Sequence, residues 1–494
     1  MNALPLFERI RTHAKRIALF HETQSVTYED LLHRSEKVAA TLLEDRKDLE
    51  EARVAFLLPA GADYVAAQWG TWQAGGIAVP LSLSATETEL EYTLVDSQSD
   101  YVLTDRELSA KLANLAERLQ IPRILLEETE QGTPILLPEI SRSRRAMILY
   151  TSGTTSKPKG VVSTHANIQA QIDALIRVWR WQAEDRIPLF LPLHHVHGII
   201  NILCCALWSG ASVEPFARFD EEAVLQRVAD KAYSVFMAVP TIYVKLIEHI
   251  ESLPGNERMA ILEGFRIMRL MVSGSAALPV SVHEKWTDLT GQHLLERYGM
   301  TEIGMALSNP YEGHRRAGSV GQPLPGVDIR LMSEANEIVE SDPGEIQVRG
   351  PGVFREYWNR PEATQSAFRD GWFLTGDMAV VEDGYYRILG RTSVDIIKSG
   401  GYKLSALEIE SALLDHSAIR ECAVVGVPDD TWGETVAVAV VVHDGESLDQ
   451  EQLQSWCKER MSSYKIPRKM RIVQTLPRNA MGKVTKPKVA ELFR

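Results

Sequence analysis

Tyr150 to Gly160 reads YTSGTTSKPKG, a short stretch dense in serine and threonine hydroxyls that also carries Gly153, Gly160, Lys157 and Lys159. These residue types suit a phosphate. Glycine lets backbone N–H groups approach an anion, hydroxyls donate to phosphate oxygens, and lysine neutralises charge. Thr151, Ser152, Gly153, Thr154, Thr155 and Lys159 are therefore candidate phosphate ligands. The stretch is not a Walker loop, because Pro158 stands where that motif requires its second glycine. A second unusual run lies between Ile187 and Val213, where no Asp, Glu, Lys or Arg occurs but His194, His195 and His197 do.

Such residues need stiff elements behind them. Ala146 to Tyr150 reads as a buried strand leading into the hydroxyl-rich turn. Upstream, Arg53 to Leu58 is an apolar run broken by Pro59-Ala60-Gly61. Asp63 to Trp72 then has helical spacing, Gly75-Gly76 ends it, and Ile77 to Pro80 is apolar again. This βαβ rhythm predicts a sheet covered by helices. It recurs as Tyr101 to Thr104, a helical Glu107 to Leu119, and Arg123 to Leu126, and Ser234 to Val239 reads as another buried strand. The opening MNALPLFERIRTHAKRIALF contains Glu8 and no continuous apolar core, so it reads as a first helix and not a signal peptide. Tyr311 to Pro325 is rich in glycine and proline and predicts loops and strand edges. The pattern changes near Gly390-Arg391. Beyond it, Ser405 and Glu408 have capping-box spacing at a helix start, followed by strands at Cys422 to Val427 and Thr435 to Val442 and a helix over Leu448 to Met461.

At 494 residues the chain is too long for one compact core, and at roughly 150 residues per core about three lobes are expected. Its 45% hydrophobic and 24% charged residues exclude wholesale disorder. With 53 Lys plus Arg against 66 Asp plus Glu the net charge is -13, which argues against a bulk nucleic-acid or anionic-membrane surface. Cys204, Cys205, Cys422 and Cys457 match neither a disulfide framework nor zinc-ligand spacing, so a reducing compartment, the cytoplasm, is expected. The uncharged run from Ile187 to Val213 is long enough to span a bilayer. Its prolines, glycines and three histidines instead fit a buried strand, loop and helix beside a site.

More motifs follow the hydroxyl-rich turn: Ser273-Gly274-Ser275-Ala276, Tyr298-Gly299-Met300-Thr301-Glu302, Thr375-Gly376-Asp377, Gly390-Arg391, Lys398-Ser399-Gly400-Gly401-Tyr402-Lys403 and Pro477-Arg478-Asn479-Ala480-Met481-Gly482-Lys483. In this order, across nearly the whole chain, they resemble the adenylate-forming superfamily of acyl-CoA synthetases, luciferases and peptide-synthetase adenylation domains. The resemblance implies an α/β fold. Residues 1–390 would form a large N-terminal AMP-binding domain of stacked βα sheets and a distorted β-barrel. Residues 391–396 would form a hinge, with Asp395 as candidate pivot, and 397–494 a small mobile α+β C-terminal lid.

Ligands are implied likewise: ATP, Mg²⁺ and CoA. Gly274, Ser275 and Ala276 would form the adenine-side turn. Tyr298 would lie against adenine with Gly299 and Met300 beside it, Thr301 on the α-phosphate and Glu302 on magnesium. Asp377 and Arg391 would hold the ribose. Lys398, Ser399, Gly400, Gly401 and Tyr402 would face CoA during thioester formation, and Lys483 would be the adenylation lysine. Physical chemistry supports these roles, since Mg²⁺ takes an oxygen-donor carboxylate beside waters and phosphates. Attack of a carboxylate on the α-phosphorus joins two anions, so charge placement dominates the barrier.

Arg297 precedes Tyr298 directly, and a simple monocarboxylate would leave such a buried cation unpaired. A short dicarboxylate would pair with it through a two-pronged contact. The run LLERYGMTEIGMALSNP is similar to the malonyl-CoA synthetase branch, which implies an arginine there for the distal carboxylate. His197, Lys245 and Met305 complete the candidate acid pocket. The alternatives are a medium- or long-chain fatty-acyl-CoA ligase, favoured by a long apolar tunnel near His197, Val239 and Met305, and a free-standing carrier-loading adenylation enzyme.

Overall fold

The computed structural model describes residues 4–21, 24–129, 136–151, 157–399, 402–429, 431–478 and 483–494. Its largest sheet has seven strands in the order Glu356–Tyr357, Lys159–Thr164, Arg145–Thr151, Ile77–Pro80, Arg53–Leu57, Tyr101–Thr104 and Arg123–Leu125. The five from Arg145–Thr151 onward are parallel, and the first two add antiparallel pairing. Their near-continuous burial explains the apolar runs in the sequence, because a parallel strand is covered on both faces. The helix Ala62–Gln73 is buried along most of its length, and Trp72 Nε1 donates to the Ala146 carbonyl at 2.7 Å. That bond fixes the helix onto the strand that leads to the hydroxyl-rich turn.

A second sheet runs Val235–Ala238, Leu270–Ser273, Leu295–Met300, Gly304–Ser308, Gln322–Pro323. Its first three strands are parallel, so their carboxyl ends open on one edge, where ligands of open α/β sheets gather. Both SGSA and YGMTE leave from that edge. A four-stranded sheet, Gln24–Thr27, Ile17–His21, Ser212–Pro215, Arg186–Leu189, covers the N-terminal residues. The expected first helix is therefore only Pro5–Arg11, and Ile17 to Phe20 belong to a strand that pairs with Ser212–Pro215. The turn between them falls after Thr12, where the helical apolar spacing stops.

The uncharged run begins in the strand Arg186–Leu189, passes through a loop, a π-helix at His197–Cys204 and an α-helix at Cys205–Ser209, and ends in the strand Ser212–Pro215. All eight π-helical residues are buried. Among the described residues no helix is long and apolar enough to cross a membrane.

The region expected as a distorted β-barrel is built on a six-stranded antiparallel sheet. Its long strand Trp372–Glu382 pairs with Gly344–Arg349, Phe368–Arg369 and Tyr385–Arg391, with register shifts that bend it without closing the path. The last sheet consists of Tyr402–Ser405, Ile396–Ser399, Gly433–Val442, Ile419–Asp429 and Lys469–Ile472. It has apolar cores of its own, drawn wholly from Ile397 onward. Ser405 accepts the Glu408 N–H at 3.1 Å, which makes it the N-cap of the helix Ala406–Leu413.

Candidate active site

Thr151 and Lys159 face each other across the hairpin that brackets the hydroxyl-rich turn. Ser152, Gly153, Thr154 and Thr155 lie outside the described residues. The base of the turn is braced from the helix Glu87–Ser97. Tyr92 Oη donates to the Pro158 carbonyl at 2.6 Å, and Tyr150 Oη donates to Asp96 Oδ2 at 2.9 Å. Lys159 Nζ lies 4.9 Å from the centroid of the Tyr357 ring, a cation–π contact.

Tyr357 was not legible as a site residue, yet it joins two that were. Its hydroxyl donates to Glu302 Oε1 at 2.9 Å while its ring carries Lys159. The signal was the REYWNRP run: two adjacent aromatics, the first on the short strand Glu356–Tyr357, ahead of a proline. That strand pairs with Lys159–Thr164, Tyr357 opposite Val161. Thr164 caps the next helix with a capping box to Asn167, whose Nδ2 also donates to the Pro351 and Val353 carbonyls. Phe354 N–H then donates to the Glu302 carbonyl at 2.7 Å. One cap thus places both Tyr357 and Glu302.

Glu302 is buried in the turn between Leu295–Met300 and Gly304–Ser308, and burial raises its pKa, opposed in part by the Tyr357 hydroxyl and Arg391. A buried carboxylate short of cations fits an Mg²⁺ ion that completes its shell with phosphates and water. Replacing Tyr357 by phenylalanine is expected to leave that carboxylate without its donor and to lower unfolding free energy by about 1–3 kcal/mol. Urea denaturation in the absence of ATP checks this, and an unchanged midpoint would show that the hydroxyl is dispensable.

Next to this lie the residues expected to hold the nucleotide. Asp377 is buried; Tyr298 Oη donates to its Oδ2 at 2.6 Å and Arg391 Nε to its Oδ1 at 3.0 Å. Asp377 and Arg391 are directly paired across two strands, which is why TGD and GR, distant in sequence, meet. Thr375 Oγ1 accepts the Asp377 N–H at 3.1 Å and shapes the turn into the carboxylate. Thr301 is half-buried beside Glu302. Gly274 is buried, Ser275 half-buried and Ala276 exposed after the strand Leu270–Ser273.

The residues expected to hold the acid form a polar cluster in which some buried atoms lack partners. Arg297 is 4% exposed, and its Nη2 donates to Ser275 Oγ at 3.2 Å. Its Nε has no partner. Glu296 is occupied by His283 and the Gly318 N–H, and Glu302 by Tyr357, so neither neighbouring carboxylate neutralises Arg297. Burial lowers the guanidinium to about 9, which still leaves it charged at neutral pH. A Cβ on Gly274 would lie 2.6 Å from the Arg297 Cζ, so the guanidinium rests directly on the backbone there. Ser275 Oγ also meets His197 Nδ1 at 3.2 Å, and His197 Nε2 is buried without a partner. His197 opens the π-helix, a distortion that re-aims side chains and recurs at functional sites. Burial, Arg297 and His195 hold His197 far below its usual pKa, and burial, His194 and Lys483 bring His195 to about 3. Both imidazoles are neutral.

Met305 is buried opposite Gly299, whose Cβ would lie 2.5 Å from the Met305 Cε. Lys245 is not part of this cluster. The helix Pro240–Ser252 buries Ile242, Tyr243, Leu246, Ile247 and Ile250, which turns Lys245 outward to solvent.

Lys483 comes from the far end of the chain. A bridge between Arg478 and Val484 and a bond from Thr485 N–H to the Pro477 carbonyl at 2.8 Å close the loop that carries it. Asn479 to Gly482 lie outside the described residues. The residue as a whole is exposed, but its ammonium end is enclosed enough for burial to lower its pKa, helped by Arg297 and Arg391 and opposed by Asp377. Its charge is thus coupled both to Arg297 and to the Asp377–Arg391 pair. The residues expected to face CoA are elsewhere: Lys398 is exposed, Ser399 buried, and the exposed Tyr402 stacks on Tyr464 with centroids 4.5 Å apart. Gly400 and Gly401 lie outside the described residues.

Residues 6–358 match the AMP-binding enzyme family and 408–483 the AMP-binding enzyme C-terminal domain. A mitochondrial malonate–CoA ligase, ACSF3, of Xenopus laevis is 44% identical, the alignment covering 100% of this chain and 92% of that protein. Its Homo sapiens counterpart is also 44% identical, over 99% and 92%. The crystal structure of ATP-bound MatB from Rhodopseudomonas palustris superposes with a TM-score of 0.91 at 32% identity, covering 100% of this chain and 99% of that one.

Proposed function

The chain belongs to the AMP-binding enzyme family, and from that membership we propose that it is an ATP-dependent ligase joining malonate to CoA through malonyl-adenylate. The observation that carries the choice of acid is Arg297, a buried cation with no carboxylate partner among the described residues. A dicarboxylate supplies the missing anion with its distal group. Ser275 and His197 offer it further polar contacts, which an alkyl chain would leave unsatisfied.

The near carboxylate of malonate attacks the α-phosphorus of ATP, a P–O bond forms, and pyrophosphate leaves. No general base is required, since the nucleophile is already ionised. The neighbouring imidazoles are neutral, so cations supply the electrostatics. Lys483 draws the carboxylate and α-phosphate together, and Lys159 faces the phosphates from the hydroxyl-rich turn. Asp377 and Arg391 hold the ribose end. A magnesium ion held by Glu302, when bound, supplies charge neutralisation on the phosphates. In the second half-reaction the CoA sulfur displaces AMP from the acyl carbon to give the thioester. We assign this step to the Lys398 to Tyr402 segment after residues 397–494 turn about a hinge at 391–396.

Malonate, ATP, magnesium and CoA are expected to yield AMP, pyrophosphate and malonyl-CoA. The direct test is a panel of acetate, malonate, succinate, octanoate and palmitate, read as CoA thioester formed. Octanoate or palmitate turning over better than malonate would overturn the substrate and leave the ligase. Free cysteines suit a reducing compartment, such as the cytoplasm or the organelle named for the vertebrate relatives.

A further inference from the structure

Three residues beyond Lys483, Lys486 opens the helix Lys486–Glu491. Its ammonium is 2.7 Å from Asp395 Oδ1 and 2.7 Å from Glu410 Oε1, and the three side chains are only 12%, 14% and 15% exposed. Each carboxylate is also fixed by a backbone donor. Arg391 N–H donates to Asp395 Oδ2 at 2.9 Å, and Val424 N–H donates to Glu410 Oε1 at 2.7 Å. An exposed ion pair of this kind would contribute little. An enclosed one is different, because removing the cation leaves two carboxylates facing each other without compensation.

The role follows from what the cluster connects. Asp395 lies in the turn between Tyr385–Arg391 and Ile396–Ser399, where the N-terminal sheets give way to the C-terminal one. Gly390, at φ +119°, makes the close approach: a Cβ there would come within 2.3 Å of the Asp395 Cβ. Arg391, whose N–H holds Asp395, sends its Nε to Asp377, which in turn takes the Tyr298 hydroxyl. An unbroken polar chain thus runs from Lys486 to the nucleotide side. Glu410 and Lys486 both belong to the C-terminal part, whereas Asp395 is on the connector. A rotation about the connector would separate Lys486 from Asp395 yet leave it paired with Glu410.

We propose that Lys486 is a positioning residue for acyl-adenylate formation, holding the segment that carries Lys483 against the connector by bridging Asp395 and Glu410. This rests on the ligase reading above. Because a turn of the connector would part Lys486 from Asp395, the pairing favours the arrangement described here and so the first half-reaction.

The test separates the halves in the full-length protein. For Lys486→Met, malonate-dependent exchange of labelled pyrophosphate into ATP is expected to fall about a hundredfold, the loss that a misplaced catalytic group produces. Conversion of supplied malonyl-adenylate and CoA to thioester is expected to stay close to the unaltered rate. Lys486→Arg, which keeps the charge, is expected to recover most of the exchange. Asp395→Asn is expected to act in the same direction as Lys486→Met, and the double variant to be no worse than the poorer single one. If Lys486→Met does not fold, Asp395→Asn and Lys486→Arg carry the comparison. Equal loss of both half-reactions, or unchanged exchange, in a folded variant overturns the proposal while the unaltered protein still exchanges. No exchange with any acid in the unaltered protein removes the ligase reading and this one together.

Discussion

Lys483→Ala is expected to reduce malonate-dependent pyrophosphate exchange by roughly two to three orders of magnitude, the usual loss for one well-placed donor. The reason is electrostatic. The two reactants are anions, and Lys483 brings a cation that already feels the charges of Arg297, Arg391 and Asp377. Without it the nearest cation on the acid side is Arg297, which a distal carboxylate would already occupy. Thioester formation from supplied malonyl-adenylate needs no such cation and is expected to persist. Both half-reactions are measurable on one preparation. Parallel loss of the two, with unchanged thermal unfolding, would remove the account in which Lys483 serves one of them.

The second large effect concerns the acid. Arg297→Met is expected to lower kcat/KM for malonate by about a hundredfold or more, the order found when one member of a buried charged contact is truncated. Turnover of acetate, which offers no distal anion, is expected to change little or to improve. Stability should move the other way. In the ligand-free protein the arginine is a buried cation with one hydrogen bond to a hydroxyl and an unpartnered Nε. An apolar side chain of similar length relieves that penalty and is expected to raise the unfolding free energy by about 1 kcal/mol or more. Lower stability together with equal losses on acetate and malonate would instead make Arg297 a structural residue.

Much of the scaffold could be read in the sequence where the pattern was local. Ile77–Pro80 and Tyr101–Thr104 fall where the apolar runs begin and end, because buried parallel strands write themselves as unbroken hydrophobic stretches. The helix Gln450–Lys458 is shorter at both ends than the expected Leu448 to Met461, since apolar spacing continues past the Asp449 cap. The π-helix at His197–Cys204 has no local signature, for its register slip serves tertiary packing and not backbone propensity.

The site was legible where ordered motifs marked it. Tyr298, Asp377 and Arg391 come together because strand pairing closes the distance between them. Tyr357 was missed because its contribution depends on two partners more than fifty positions away, Glu302 and Lys159. Lys245 follows a motif of the expected pocket by only two residues, but it lies on the outward face of the helix Pro240–Ser252, so nearness in sequence did not bring its side chain to the cluster.

On the proposed reading of Arg297, its close approach to bare backbone at Gly274 would make that α-carbon the floor of the acid chamber. Depth there would be set by the main chain and not by a rotatable group, a fixed ruler between the reacting carboxylate and its far twin. Any side chain added at position 274 would displace the guanidinium and alter that length.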